Sequence, residues 1–223
     1  MRLLDLLLPV RCAVCAAPGG ELCAPCLASL PPLRPPLCER CGAPSAWPVA
    51  RCRECGGRRL AFATARAAVA YDARVRSLVA AWKERGLRGL ARPAADVVAA
   101  CVRARPGADA LVAVPADRER ALTRGHHPAH QLADELAARW DVPLLTLLER
   151  PVAAPRQRGL PSSERRRNVA RAFRARDRSP ARVVLVDDVY TTGATASAAA
   201  SALRAAGARR VEVVTFARAL RVG

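Results

Sequence analysis

The sequence has few aromatic residues, almost no lysine and no long hydrophobic run. Aromatic side chains make up 4% of the 223 residues, so the core must be built from aliphatic and small side chains. No stretch approaches the ~18 uncharged apolar residues of a membrane helix, and the apolar start of the chain is interrupted by Arg2 and Asp5. No small-residue cleavage site precedes the first cysteine, so a signal peptide is not indicated. We therefore expect a cytoplasmic protein without membrane insertion.

Acidic residues are scarce relative to basic ones. The chain has 37 Lys and Arg against 19 Asp and Glu, a formal net charge of +18, and Lys83 is its single lysine. Hydrophobic residues make up 52% of the sequence, which is enough to bury a core and excludes a wholly disordered chain. The length suits one full-sized domain and a small one.

Cysteine, in contrast, is plentiful and regularly spaced. Eight of the nine cysteines form four C-x-x-C pairs before residue 56. A two-residue spacer lets both sulfurs of a pair face one point, which is half of a tetrahedral zinc site, whereas a disulfide framework suits an exported protein. Eight ligands predict two structural zinc sites, with the pairs combined in chain order or interleaved. The predicted ligands are Cys12, Cys15, Cys23, Cys26, Cys38, Cys41, Cys52 and Cys55.

Short apolar segments alternate with helical patterns in the rest of the chain, which favours an α/β fold with a parallel sheet covered on both faces. We predict a zinc module at residues 1–60 and a second domain at 61–223, with 57–66 as a connector. Cys101 lies in an apolar helical run and is predicted to be a buried core thiol. Predicted helices cover residues 74–84, 90–105, 128–140 and 194–206, and predicted strands cover 110–114, 144–148, 182–186 and 210–217.

The segment 183–195 carries the clearest functional pattern. Four apolar residues suit a strand buried on both faces, and Asp187 and Asp188 follow at its end, where open α/β sheets bind ligands. A loop of small residues then opens a helix, so its N–H groups and hydroxyls can hold a phosphate. Adjacent strand residues point to opposite faces, so the two aspartates suit the vicinal hydroxyls of a ribose. The predicted phosphate loop is Thr191, Thr192, Gly193, Ala194 and Thr195.

This segment resembles the diphosphosugar motif of type I phosphoribosyltransferases. With the cysteine pairs before it, the chain resembles the ComF family, found in bacterial DNA uptake during competence. The resemblance implies a Rossmann-like phosphoribosyltransferase domain behind a double zinc ribbon. It also implies 5-phosphoribosyl pyrophosphate (PRPP) with Mg²⁺ as the ligand. The implied catalytic residues are Asp187 and Asp188, with Lys83 and Arg124 as further candidates, and the family's flexible loop is matched by Gln157, Arg165 and Asn168.

Positive charge is concentrated in residues 150–182, which hold eleven Arg and two acidic residues. One hypothesis is an enzyme that transfers the phosphoribosyl group to an unidentified acceptor, with arginine neutralising the departing pyrophosphate. The alternative is a non-catalytic PRPP-binding sensor that binds single-stranded DNA with a strong salt dependence. The resemblance further implies partners in the competence machinery.

Two smaller features leave alternatives open. His126, His127 and His130 cluster in the sequence, and we expect a solvated loop there, with a third metal site as the alternative. Lys83 is predicted to meet pyrophosphate or to be an ordinary exposed helix residue. The segment 124–128 departs from the family pattern, in which Phe-Asn-Gln usually follows.

Overall fold

A computed structural model of the chain describes residues 10–102, 107–116, 125–151 and 172–220. Its strands are β1 (Thr64–Ala70), β2 (Ala110–Ala113), β3 (Leu148–Glu149), β4 (Arg174–Ala175), β5 (Arg182–Tyr190) and β6 (Arg210–Arg218). Four of them form a parallel sheet in the order β1-β6-β5-β2, and β3 pairs with β4 in a small antiparallel sheet. The longest strands, β5 and β6, are the two inner ones.

The helices begin and end where local sequence signals place them. Asp72 caps the second helix, because its Oδ1 accepts a hydrogen bond of 2.9 Å from the N–H of Val75. Pro128 occupies the first turn of the fourth helix, and Asp141 ends that helix in the left-handed conformation, with φ at 51°. The helices are α1 (Ala24–Ala28), α2 (Ala73–Glu84), α3 (Ala91–Cys101), α4 (Pro128–Trp140) and α5 (Ala194–Ala205).

The parallel sheet has a core on each face. Helices α2, α3 and α4 pack on one face, against side chains that include Val184 and Val186 of β5. Helix α5 packs on the other face, against Val183 and Leu185. This alternation explains why β5 reads as a continuous apolar run, and it confirms the predicted parallel sheet with helices on both sides.

Three expectations about elements need correction. The connector predicted at 57–66 already contains the start of β1, which pairs in parallel with β6. The strand predicted at 144–148 is reduced to a single bridge between Leu144 and Leu111 and to the start of β3. Cys101 is exposed rather than buried, because α3 ends at this residue and its buried side is formed by residues such as Ala95 and Val98.

The segment 31–40, which joins the two groups of cysteines, lies along the outer edge of β1. The N–H groups of Ala65 and Ala70 donate to the carbonyls of Arg40 and Pro31, at 2.9 and 2.8 Å. The segment therefore covers an edge that would otherwise expose unpaired backbone groups. The predicted boundary between residues 60 and 61 stays a prediction. Within the described ranges, no helix has the length and apolar character needed to cross a bilayer.

Candidate metal centres and candidate phosphate site

The paired cysteines form two clusters, and in each the four sulfur atoms lie within 4.8 Å of one another. In the second cluster, the Sγ atoms of Cys38 and Cys55 are 3.6 Å apart and those of Cys41 and Cys52 are 3.5 Å apart. Tetrahedral zinc with Zn–S bonds of about 2.3 Å requires sulfurs about 3.8 Å apart, so the clusters fit two zinc sites. The combination follows chain order and excludes interleaving: Cys12, Cys15, Cys23 and Cys26 form the first cluster, and Cys38, Cys41, Cys52 and Cys55 form the second.

Backbone amides favour the thiolate form that zinc requires. Burial raises the pKa of Cys12, but the N–H groups of Cys15, Cys23 and Val14 outweigh it and lower the pKa to about 6. The same opposition at Cys38 lowers its pKa to about 7, and the N–H of Cys52 lies 3.3 Å from its sulfur. Each cluster also holds a thiol with the opposite shift: hydrogen bonds with Cys23 and Cys15 raise the pKa of Cys26 to about 12, and burial raises the pKa of Cys41.

The two aspartates lie within the last part of β5, not beyond its end. Asp188 is 7% exposed, and its Oδ2 lies 2.6 Å from the Nζ of Lys83, which is in the last turn of α2. Asp187 is half-buried, and its Oδ1 accepts a hydrogen bond of 2.9 Å from the N–H of Asp188. The single lysine is therefore not an unpaired surface residue, because it forms an ion pair with Asp188.

Asp187 is ionised with difficulty. Burial, together with the negative charge of Asp188, raises the pKa of Asp187 to about 8, although the N–H of Asp188 and the ammonium of Lys83 oppose the rise. A carboxyl group with this pKa carries a proton for much of the time near neutral pH. The pair thus offers Asp188 with the ammonium of Lys83 beside it, and in Asp187 a carboxyl group that can donate or accept a hydrogen bond.

The loop after β5 turns sharply into α5 at Gly193. This residue has φ at 74°, a left-handed conformation that favours glycine, and a methyl group there would collide with the hydroxyl of Tyr190. The N–H of Ala194 donates to Oγ1 of Thr192 at 3.3 Å. Thr191, Thr192 and Thr195 are exposed. The loop therefore presents threonine hydroxyls to solvent at the positive end of the α5 dipole.

The histidines are tied to the backbone of neighbouring elements. Nε2 of His126 lies 2.6 Å from the carbonyl of Trp82, and the side chain of His127 contacts the N–H groups of Ala116 and, at 3.0 Å, His130. Burial and the neighbouring His130 lower the pKa of His127. Among the described residues the histidines do not join a metal-binding cluster, and two of the three are partly buried rather than solvated.

Part of the predicted site lies outside the described residues, namely Arg124, Gln157, Arg165 and Asn168 together with most of the basic segment 150–182. Sequence reasoning also missed residues that contact the loop. Tyr190 supports Gly193 from below, and Nη1 of Arg58 donates to the carbonyl of Thr192 at 2.6 Å. Tyr190 lies within the predicted motif, so the sequence could have indicated its contact with the loop. No pattern in the sequence connects Arg58 with a loop 134 residues away.

Comparison with known proteins matches both parts of the chain. A model of the double zinc ribbon domain matches residues 3–58, and a model of the phosphoribosyl transferase domain matches residues 122–221. The fold and the two kinds of site thus define a phosphoribosyltransferase domain that follows a zinc-binding module. In this domain arrangement the chain is similar to proteins that join a double zinc ribbon to a phosphoribosyltransferase domain.

Among individual proteins, the chain is similar to competence protein F of Haemophilus influenzae, with 35% identity over 116 residues. The match spans 50% of this chain and 51% of that protein, so it covers about half the length of the curated relative. A solved structure, that of TT1426 from Thermus thermophilus, is 23% identical with a TM-score of 0.36, over 59% of this chain and 83% of its own. The resemblance to ComF proteins found in the sequence is confirmed.

Proposed function

We propose that the chain binds PRPP with Mg²⁺ at the carboxyl end of β5 and acts as a phosphoribosyltransferase of the ComF type. One observation carries the proposal. A carboxylate pair, Asp187 and Asp188, and an exposed loop at a helix N-terminus follow one another on a single inner strand. Both lie within the residues that the phosphoribosyl transferase model matches. Parallel sheets bind their ligands at this end of the strands.

The loop from Thr191 to Thr195 would hold the 5-phosphate. The first N–H groups of α5 have no carbonyl partner within the helix, and an anion would replace Oγ1 of Thr192 as the partner of the Ala194 N–H. The exposed threonine hydroxyls add donors. Gly193 makes room for this turn, since its conformation and the adjacent Tyr190 hydroxyl leave no space for a side chain.

Asp187 and Asp188 would bind the ribose hydroxyls, which lie one sugar ring away from the 5-phosphate. Carboxylate oxygens are also ligands that Mg²⁺ accepts, usually together with substrate phosphates, so the pair fits this ion. When bound, Mg²⁺ would supply charge neutralisation for the pyrophosphate. Lys83 would share Asp188 with the entering hydroxyls, because their ion pair is still partly exposed.

Substitution of either aspartate tests the site. We expect Asp187→Ala and Asp188→Ala each to weaken PRPP binding by about 100-fold, since each removes hydrogen bonds to charged groups that contribute on the order of 1.5–3 kcal/mol. Isothermal titration with PRPP and Mg²⁺ measures the affinity, and circular dichroism checks that the variants fold. Asp134→Ala, on the exposed side of α4, is the matched control. Unchanged affinity in both site variants would refute the assignment.

The concentration of arginine in residues 150–182 favours a second candidate, a PRPP-binding sensor that binds single-stranded DNA. Both functions share the ribose phosphate site, so the release of pyrophosphate separates them. Incubation of the protein and PRPP with bases, amines and DNA ends should release pyrophosphate with one acceptor if the chain is an enzyme. Tight PRPP binding without release would favour the sensor, and DNA affinity that falls steeply with salt would support it further.

A further inference from the structure

The second cysteine cluster is joined to the phosphate loop through a buried arginine. Arg218, at the end of β6, is 1% exposed. Its guanidinium donates to the carbonyl of Cys41 and to Oε2 of Glu54, both at 2.7 Å, and lies 3.7 Å from the sulfur of Cys41. The same guanidinium lies 4.5 Å from the centre of the Tyr190 ring. The guanidinium of Arg218 therefore contacts two residues of the zinc module, the predicted ligand Cys41 and Glu54, and also contacts Tyr190 at the end of β5.

Tyr190 connects Arg218 to the loop. The residue is 5% exposed, and its ring also meets Phe62 edge to face, with the ring centres 6.3 Å apart. Its hydroxyl lies directly against Gly193. Because Arg218 and Phe62 restrict the position of the ring, the ring in turn can restrict the position of the loop at the end of β5.

A second path runs over the surface. Arg58 follows the zinc ligand Cys55 by three residues, and its Nη1 donates to the carbonyl of Thr192 at 2.6 Å. Close by, the N–H of Ala61 donates to the hydroxyl of Ser197 in the first turn of α5, at 3.1 Å. The segment 58–62 therefore holds the loop from outside while Tyr190 supports it from inside.

The first cluster has a different neighbourhood. Its flanking residues Ala13 and Leu30 belong to the core on the opposite face of the sheet, with α2 and α3. Nη1 of Arg74 donates to the carbonyl of Ser29 at 3.0 Å, which is the same kind of arginine-to-carbonyl contact as that of Arg58. The described contacts of the first cluster are therefore with α2 and not with the phosphate loop.

We propose that the second zinc cluster positions the phosphate loop, with Arg218 and Arg58 as positioning residues, so that zinc in this cluster and a phosphate ligand in the loop stabilise each other. Zinc bound by Cys38, Cys41, Cys52 and Cys55 fixes the carbonyl of Cys41 and the backbone that carries Glu54 and Arg58. Any coupling between two binding sites is reciprocal, so a bound phosphate must also strengthen zinc binding. The ligand's identity rests on the proposed function, whereas the mechanical link does not.

Hydrogen exchange of the full-length, zinc-loaded protein tests the link without any ligand. We expect Arg58→Gln to speed exchange at the amides of residues 191–195 about fivefold or more, since it removes a hydrogen bond from a charged donor. Arg58→Lys should recover part of the protection. Arg74→Gln, which breaks the matched contact at the first cluster, should leave these amides unchanged. Equal exchange in Arg58→Gln and the wild-type protein would overturn the proposal.

Zinc release provides the reciprocal measurement. A metallochromic chelator should remove two zinc ions per chain, and ribose 5-phosphate should slow the release of one of them and not the other. In Arg58→Gln, ribose 5-phosphate should bind more weakly and protect zinc less. Binding of ribose 5-phosphate that leaves both release rates unchanged would overturn the coupling but not the proposed function. Absence of binding would defeat the proposed function, while the exchange experiment would still decide the mechanical link.

Discussion

For single residues, the aspartate pair shows how far a motif can be understood without its surroundings. The order of residues predicts that Asp187 and Asp188 lie together at a strand end. It does not predict that burial and the charge of Asp188 raise the pKa of Asp187, or that Lys83, which is distant in the chain, forms an ion pair with Asp188. Two identical neighbours in the chain therefore have different electrostatic surroundings in the fold.

This difference predicts how stability depends on pH. The pKa of Asp187 is raised from 3.8 to about 8, so the folded protein holds the proton more tightly than the unfolded chain. The resulting stabilisation is complete below about pH 4 and is lost as the pH rises to about 8. Asp187→Asn mimics the protonated form at every pH. The free energy of unfolding of this variant should therefore increasingly exceed that of the wild type between about pH 4 and pH 8.

Urea denaturation across this pH range measures the difference, which we expect to be on the order of 1–3 kcal/mol at about pH 8. Asp134→Asn, on an exposed part of α4, provides the control for removing a carboxylate. A difference between variant and wild type that stays constant with pH would contradict the raised pKa.

Among the helices and strands, the unit formed by β5, the phosphate loop and α5 is the part best predicted from sequence. Its apolar run, its small residues and its helix appear as expected, and α5 begins at Ala194 as predicted. The strand itself runs on through both aspartates to Tyr190, because β6 continues to pair with it as far as Arg218. By contrast, the start of β1 lies in the segment interpreted as a connector, because Thr64–Ala70 consists mostly of small residues with one arginine and has no strong strand pattern.

The turn between β5 and α5 predicts a sharp requirement for glycine. Gly193→Ala should cost on the order of 1–3 kcal/mol, from the left-handed conformation and from the collision with Tyr190, and it should weaken ribose 5-phosphate binding at least about tenfold. Thermal denaturation and titration calorimetry measure the two effects.

Gly86→Ala separates conformation from collision. Gly86 has φ at 70° with open space around it, so its substitution carries only the conformational cost. If Gly193→Ala and Gly86→Ala were equally destabilised and ligand affinity were retained, close packing of the loop on Tyr190 would have no functional importance.

In the molecule as a whole, the zinc module is a structural part of the sheet as well as a metal-binding unit. Its segment 31–40 covers the edge of β1, and its second cluster packs in the core beneath α5. The module has few large apolar side chains, so zinc must supply much of its folding free energy, about 10 kcal/mol per site. Removal of the metal should therefore also destabilise structure beyond residue 60.

We expect chelation to remove two zinc ions per chain, to unfold residues 12–55 first, and to expose the outer edge of β1. The amides of Ala65 and Ala70, which donate to Arg40 and Pro31, should then lose their protection from hydrogen exchange, while the amides of the inner strand β5 keep theirs. Mass spectrometry of the metal-loaded and chelated protein measures both. A chain without bound zinc, or protection of β1 that survives chelation, would defeat this account.

The order of residues along the chain was enough to establish the local features: the eight zinc ligands, the parallel α/β pattern, the aspartate pair and the turn into α5. Each depends on residues that are close in the chain, where spacing and side-chain type restrict the geometry. Packing in three dimensions was needed to establish which cysteine pairs combine, that Lys83 neutralises Asp188, and that Arg58 and Arg218 join the second cluster to the loop. These contacts link distant residues, and their energies depend on burial and distance, which exist only after the sheet and the zinc module have packed together.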